Sequence, residues 1–206
     1  QPLRSRSTCW YVRGGCRCDY TYGAERVGMP KAAEARFAPV MEELTERVFA
    51  LVCPAWPRES WPNCANLNLY VGEEQACGWH ADDEALFAGR GDDCLIVSLS
   101  LGSPREFWLS LRQDADAGAR PDKGSVLEVD LGDGDLLTME GLCQKHCVHC
   151  VPPGAAAATA GGGAGRPSPG GPAEGARINV TWRWVRDHKR RCPLWGLPRS
   201  PAPASP

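Results

Sequence analysis

The tripeptide His80-Ala81-Asp82 sets one imidazole and one carboxylate two positions apart. If residues 78–82 form a strand, a period of two turns both side chains to one face. There they supply two of the three ligands of a facial iron triad, which leaves three coordination positions open. Alone, such a tripeptide is more often a surface histidine beside an acidic neighbour. Support comes from residues 177–185, which alternate without a fault: Arg177, Asn179, Thr181 and Arg183 on one face, Ile178, Val180, Trp182 and Trp184 on the other. Residues 66–70 repeat the pattern and bring Asn68 and Tyr70 together. Two arginines, two asparagines and a tyrosine make a cradle for a dicarboxylate, because the planar guanidinium grips carboxylates bidentately. A different metal chemistry is offered by Cys143, Cys147 and Cys150 interleaved with His146 and His149, a small zinc site that Cys16 and Cys18 would complete.

These groups need a scaffold, and the chain supplies strands. Residues 8–12 and 18–22 favour β structure and are broken by Gly14, Gly15 and Gly23, which predicts a hairpin. After Pro30, Phe37, Val40, Met41, Leu44, Val48 and Leu51 recur at helical spacing up to Val52, and Pro54 stops the helix. Eight strand-like segments follow, at 66–71, 78–82, 95–101, 106–111, 126–129, 135–139, 146–151 and 177–185. No helical pattern lies between them, so a parallel βαβ sheet is disfavoured. The expected fold is mostly β with one main helix (α+β), an antiparallel sandwich or jelly roll. Residues 154–176 are almost all Gly, Ala and Pro and read as a flexible insertion, and the end from residue 193 is Pro-rich and reads as disordered.

A chain of 206 residues with 43% hydrophobic residues suits one domain with a real core and excludes wholesale disorder. Every apolar run is interrupted before it could cross a membrane as a helix. The net charge of −2 conceals two basic ends, +3 over residues 1–30 and +4 over 186–206, around an acidic middle of −9. Basic ends suit a polyanion such as nucleic acid, or serve only solubility. Most of the eleven cysteines are scattered, often within apolar runs, where a thiol behaves as a small hydrophobe; this points to a reducing compartment, nucleus or cytoplasm. The chain opens at Gln1, so a targeting segment would have to lie upstream.

On these residues the chain resembles the AlkB-like 2-oxoglutarate- and Fe(II)-dependent dioxygenases. Carrying the likeness are Asn68-Leu69-Tyr70, His80-Ala81-Asp82-Asp83-Glu84, the run 98–102 with Arg105 and Phe107, residues 134–139, Val148-His149-Cys150-Val151-Pro152, and the closing run 177–183. It spans roughly residues 4–185 and implies a double-stranded β-helix. It further implies that His80, Asp82 and His149 are the iron ligands, with His149 preferred to His146 because it stands two residues before a Val-Pro pair. Asn68, Tyr70, Arg177, Asn179 and Arg183 would hold 2-oxoglutarate, with dioxygen as the second co-substrate. In Tyr20-Thr21-Tyr22-Gly23 the chain resembles the family's nucleotide-recognition lid, so residues 1–30 would form that lid, Tyr22 would stack on a flipped base and Glu84 would hydrogen-bond it. Residues 31–185 would be the dioxygenase core, with 186–206 a basic and then Pro-rich tail.

The implied activity is oxidative demethylation of N-alkylated bases in DNA or RNA by a monomer without membrane contact. Succinate and formaldehyde would be released. Two other readings stay open: hydroxylation of a protein or lipid by the same iron site, and a non-enzymatic zinc-binding module that docks to nucleic acid or protein.

Overall fold

The computed structural model describes residues 4–22, 25–27, 34–113, 118–154 and 175–197. In chain order the elements are β1 (Arg4–Ser5), β2 (Ser7–Val12), β3 (Tyr20–Tyr22), β4 (Glu25–Val27), α1 (Glu34–Val52), β5 (Cys64–Val71), β6 (Gln75–His80), β7 (Ile96–Gly102), β8 (Arg105–Leu111), β9 (Leu127–Leu131), β10 (Leu136–Met139), α2 (Cys143–His146), β11 (Cys147–Val151) and β12 (Ala176–Arg183). Among the described residues they build two five-stranded sheets, ordered β10-β7-β12-β5-β2 and β1-β6-β11-β8-β9, plus the small β3-β4 ladder. All pairings within the two large sheets are antiparallel except β1 with β6. From β5 to β8 and again from β9 to β12 consecutive strands alternate between the sheets, with β8 and β9 paired as neighbours in one of them, the arrangement of a double-stranded β-helix.

The central strand β12 is paired on both sides, with Arg177 opposite Tyr70 and Asn179 opposite Asn68 on β5, and Asn179 opposite Ser100 on β7. Because side chains in register share a face, the polar positions of three strands converge on one surface between the sheets. The opposite face of this sheet carries α1. Met41, Thr45, Val48 and Phe49 of the helix are buried, and Phe49 meets Trp182 and Trp184 edge-on at 5.9 and 6.3 Å between ring centroids. Trp182 donates its indole N–H to Thr45 at 2.9 Å, and Thr45 donates onward to the carbonyl of Met41 at 2.6 Å. Truncating Phe49 to Ala would therefore cost about 3–5 kcal/mol.

The helix departs from its sequence reading at two apolar positions: Val40 is 60% and Leu51 73% exposed. The buried stripe is shifted around the wheel because Trp182 of β12 and Trp184 just beyond it dictate which side faces inward. The helix also covers only part of the sheet, so Ile178, expected to pack like its alternates, stays 41% exposed. A second correction concerns the N-terminal hairpin. Residues 8–12 do not pair with 18–22; β2 instead adds to the large sheet against β5, and β3 pairs with β4. Trp10 and Tyr11 are consequently core residues, since an edge strand that joins a sheet must bury its apolar side chains.

Gly102 closes the turn after β7 with φ +90°, and a Cβ there would lie 2.5 Å from the carbonyl oxygen of Ala176, so the position requires glycine. The expected flexible insertion falls on residues 154–176, of which 155–174 lie outside the described residues, as do 198–206 of the tail. Residues 186–197 are described, and Cys192 among them is buried. No helix among the described residues is long and apolar enough to cross a membrane.

Candidate active site

His80 ends β6 and His149 sits in the middle of β11, directly opposite it in the ladder. The two imidazoles lie 4.2 Å apart between centroids. Asp82 lies just beyond β6, so its placement does not follow from strand alternation. Its backbone N–H donates to the buried side-chain carbonyl of Gln144 at 2.9 Å, which turns the chain so that the carboxylate faces His149 Nε2 at 3.9 Å. The donor atoms of His80, Asp82 and His149 all lie within 4.8 Å of one another.

For Asp82 and His149 the surroundings favour the forms that bind a cation. Burial pushes the Asp82 carboxyl upward, but the Arg183 guanidinium at 2.9 Å outweighs it and holds Asp82 well below the usual carboxylate range. Burial, reinforced by the charge of His80, drives His149 down to about 3, so its imidazole is neutral. His80 Nδ1 sits 2.8 Å from the carbonyl oxygen of Gly78. A carbonyl only accepts, so Nδ1 carries a proton and Nε2 is the atom left to face a metal, the outer-shell arrangement common to metal-binding histidines. Phe107 stacks on His149 at 5.3 Å and fixes that ring. Burial pushes His80 down, but the Cys77 thiol and Asp82 beside it outweigh that and raise it to about 9, so a metal at His80 displaces a proton. With that proton lost, two imidazoles and one anionic carboxylate fit an Fe(II) ion and leave the cavity side open.

That cavity is lined by the three metal-competent residues and by Asn68, Tyr70, Arg177, Asn179 and Arg183, so one space gathers every residue assigned to the iron and the co-substrate. Arg177 donates to Ser100 Oγ at 2.8 Å and lies 5.4 Å over the Tyr70 ring, while its Nε and Nη1 are buried without a hydrogen-bond partner. Two unmatched donors on a buried cation are costly unless an anion fills the space before them. Arg183 differs in being ion-paired through Nη1 to Asp82 at 2.9 Å, although its Nε is likewise buried without a hydrogen-bond partner. Asn179 donates to Ser98 Oγ at 2.7 Å and accepts from Asn68 at 3.4 Å, which orients both amides.

Glu84 is half-buried and accepts a hydrogen bond from Tyr20 at 2.7 Å; its Oε2 is buried without a partner. Tyr20 lines the cavity, stacked on Trp10 at 4.9 Å. The ring of Tyr22 lies outside the described residues, although its backbone belongs to β3.

The alternative zinc cluster of the sequence reading does not assemble among the described residues: Cys143 and His146 fall in the turn α2, Cys147 and Cys150 point to opposite faces of β11, and His149 belongs to the triad. Cys16 and Cys18 instead face His188 and Cys192. Sequence reasoning also missed Gln144 and Arg6, whose Nε donates to Asn68 at 2.7 Å. Neither carries a local signal. Ser98 and Ser100 were legible in principle, since they alternate along β7 on the polar face.

A family model of the 2OG-Fe(II) oxygenase superfamily matches residues 4–183. The chain belongs to this superfamily, whose cofactors are Fe(II) and 2-oxoglutarate with dioxygen as co-substrate. It is similar to the DNA oxidative demethylase ALKBH2 of Arabidopsis thaliana, with 27% identity over 197 residues, 89% of this chain. The chain spans about half, 54%, of that relative's length. Among solved structures it matches OsALKBH1 at 21% identity and TM-score 0.41, covering 79% of this chain and 67% of that one. It also matches a prolyl hydroxylase from Trichoplax adhaerens in complex with a hypoxia inducible factor peptide, at 14% identity and TM-score 0.44, covering 90% and 66%.

Proposed function

We propose that this protein oxidatively demethylates N-alkylated bases in DNA or RNA, with His80, Asp82 and His149 holding the iron. The observation that carries this reading is the convergence of the triad and the unmatched Arg177 donors on one cavity. Likeness to a DNA oxidative demethylase supports the choice of nucleic acid as substrate class.

Arg177 takes the distal carboxylate of 2-oxoglutarate on its Nε and Nη1, with Tyr70 beneath the guanidinium. Asn68 and Asn179 complete the polar floor. Arg183 keeps Asp82 anionic and pinned, and so serves the metal before the co-substrate. Phe107, Met139 and Val151 supply apolar wall that keeps water from the reacting carbon. When bound, Fe(II) and 2-oxoglutarate couple decarboxylation to succinate and carbon dioxide with insertion of one oxygen atom into a C–H bond of the N-methyl group. The resulting N-hydroxymethyl group releases formaldehyde and the free base.

On the substrate side, the β3-β4 hairpin acts as the recognition lid. Tyr20 orients Glu84, whose second oxygen accepts from the base edge. A carboxylate there favours a cationic methylated base over its neutral product.

The test is succinate and formaldehyde release by iron-loaded protein given 2-oxoglutarate, oxygen and a panel of N-methylated DNA and RNA oligonucleotides, beside a His80→Ala control. One oligonucleotide should stimulate both products, and the control should abolish them. Succinate without stimulation by any oligonucleotide would shift the substrate to a protein or lipid; no succinate from iron-bound protein would overturn the oxygenase reading.

A further inference from the structure

Three thiols and one imidazole, drawn from opposite ends of the sequence, meet at a point outside the active-site cavity. Cys16 and Cys18 follow the turn after β2, while His188 and Cys192 lie beyond the last strand. Cys16, Cys18 and Cys192 are buried and free of disulfides, and His188 is partly buried. Their sulfurs stand 3.7, 3.5 and 3.5 Å from a single atom, His188 Nδ1. All four donor atoms lie within 4.8 Å of one another.

Zinc held tetrahedrally by sulfur at ~2.3 Å and nitrogen at ~2.0–2.1 Å sets each sulfur roughly 3.6 Å from the nitrogen. The observed spacings fall on that edge length. Two backbone N–H groups are aimed at the sulfurs, Arg17 to Cys192 and Lys189 to Cys18, each at 3.3 Å. Such donors stabilise thiolate over thiol. Packing of buried cysteines as small hydrophobes explains their burial but not three sulfurs converging on one nitrogen.

We propose that Cys16, Cys18, His188 and Cys192 form a closed Cys3His structural zinc site. His188 and Cys192 lie beyond the residues matched by the family model, so the site does not follow from superfamily membership. It does not depend on the demethylase reading. Its mechanical effect is to tie the root of the β3-β4 hairpin to the segment after β12, alongside the Lys189–Asp19 ion pair at 3.0 Å. Only Asp19 separates Cys18 from Tyr20, so the site also anchors the aromatic ring that lines the cavity.

The test is metal content of the whole chain, expressed in zinc-containing medium, purified without added zinc and dialysed against EDTA. One zinc per chain is expected in the wild type and in Asp82→Ala, and none in Cys16→Ser or Cys192→Ser. Because the cysteine variants can fail to fold, cobalt exchanged into the wild type and Asp82→Ala supplies an independent measurement. Thiolate-to-cobalt charge-transfer bands with strong tetrahedral ligand-field absorption in both proteins support the site. Zinc-free folded wild type, zinc lost in Asp82→Ala but kept in folded Cys192→Ser, or cobalt spectra lacking thiolate bands would each overturn it.

Discussion

Among the described residues two clusters are able to bind a metal, and they are built on opposite plans. At His80, Asp82 and His149 the donors are nitrogen and oxygen, one side opens to a polar cavity, and a buried arginine tunes the carboxylate. At Cys16, Cys18, His188 and Cys192 the donors are mostly sulfur, four in number, and they enclose the point they share. Three donors leave room for ligands to exchange; four soft donors in a tetrahedron leave none. The two histidines of the first cluster sit opposite each other in paired strands, with Asp82 just beyond β6. The second joins two loop segments, so its geometry depends on what binds there.

Breaking the triad should have the largest effect. Asp82→Ala should reduce succinate formation by more than about a hundredfold while thermal unfolding stays cooperative and zinc is retained. A variant that kept substantial turnover would remove Asp82 from the metal. Next in size is Cys192→Ser, expected to lose zinc while keeping iron. Loss of about 3 kcal/mol in a chain of this length lowers Tm by roughly 6–12 °C. An unchanged Tm by differential scanning fluorimetry would show that the loop segments are held without metal.

Within the cavity, Arg177→Lys and Arg183→Lys should separate two roles. Losing the planar fork at Arg177 should raise KM for 2-oxoglutarate by about tenfold with a smaller change in kcat. The same change at Arg183 should weaken iron binding at nearly constant KM; steady-state kinetics and an iron titration read the two apart. The smallest effect belongs to Gln144→Leu, which leaves the Asp82 N–H without its acceptor at a cost of about 1–3 kcal/mol. Iron affinity should fall several-fold, and an unaltered iron titration would show that the loop after β6 holds Asp82 in place without Gln144.

Much of the cavity was legible because alternation is a local property. Residues 177–183 announced a polar and an apolar face before any partner strand was known, and the resemblance placed His149 ahead of His146. The structure gathers His149, not His146, with His80 and Asp82. The helix was equally plain, yet Val40 and Leu51 turned outward, because periodicity identifies a stripe only to within the width that the covering surface then selects.

By itself the sequence determined which side chains share a face, since backbone geometry fixes a period of two in a strand and 3.6 in a helix wherever those elements form. Tertiary structure alone decided which faces meet. The Arg183–Asp82 pair, the Tyr20–Glu84 hydrogen bond and the meeting of Cys16 and Cys18 with His188 and Cys192 join residues far apart in the chain. No local pattern encodes such pairs, because sheet register and the paths of connecting loops bring them together only once the core has formed.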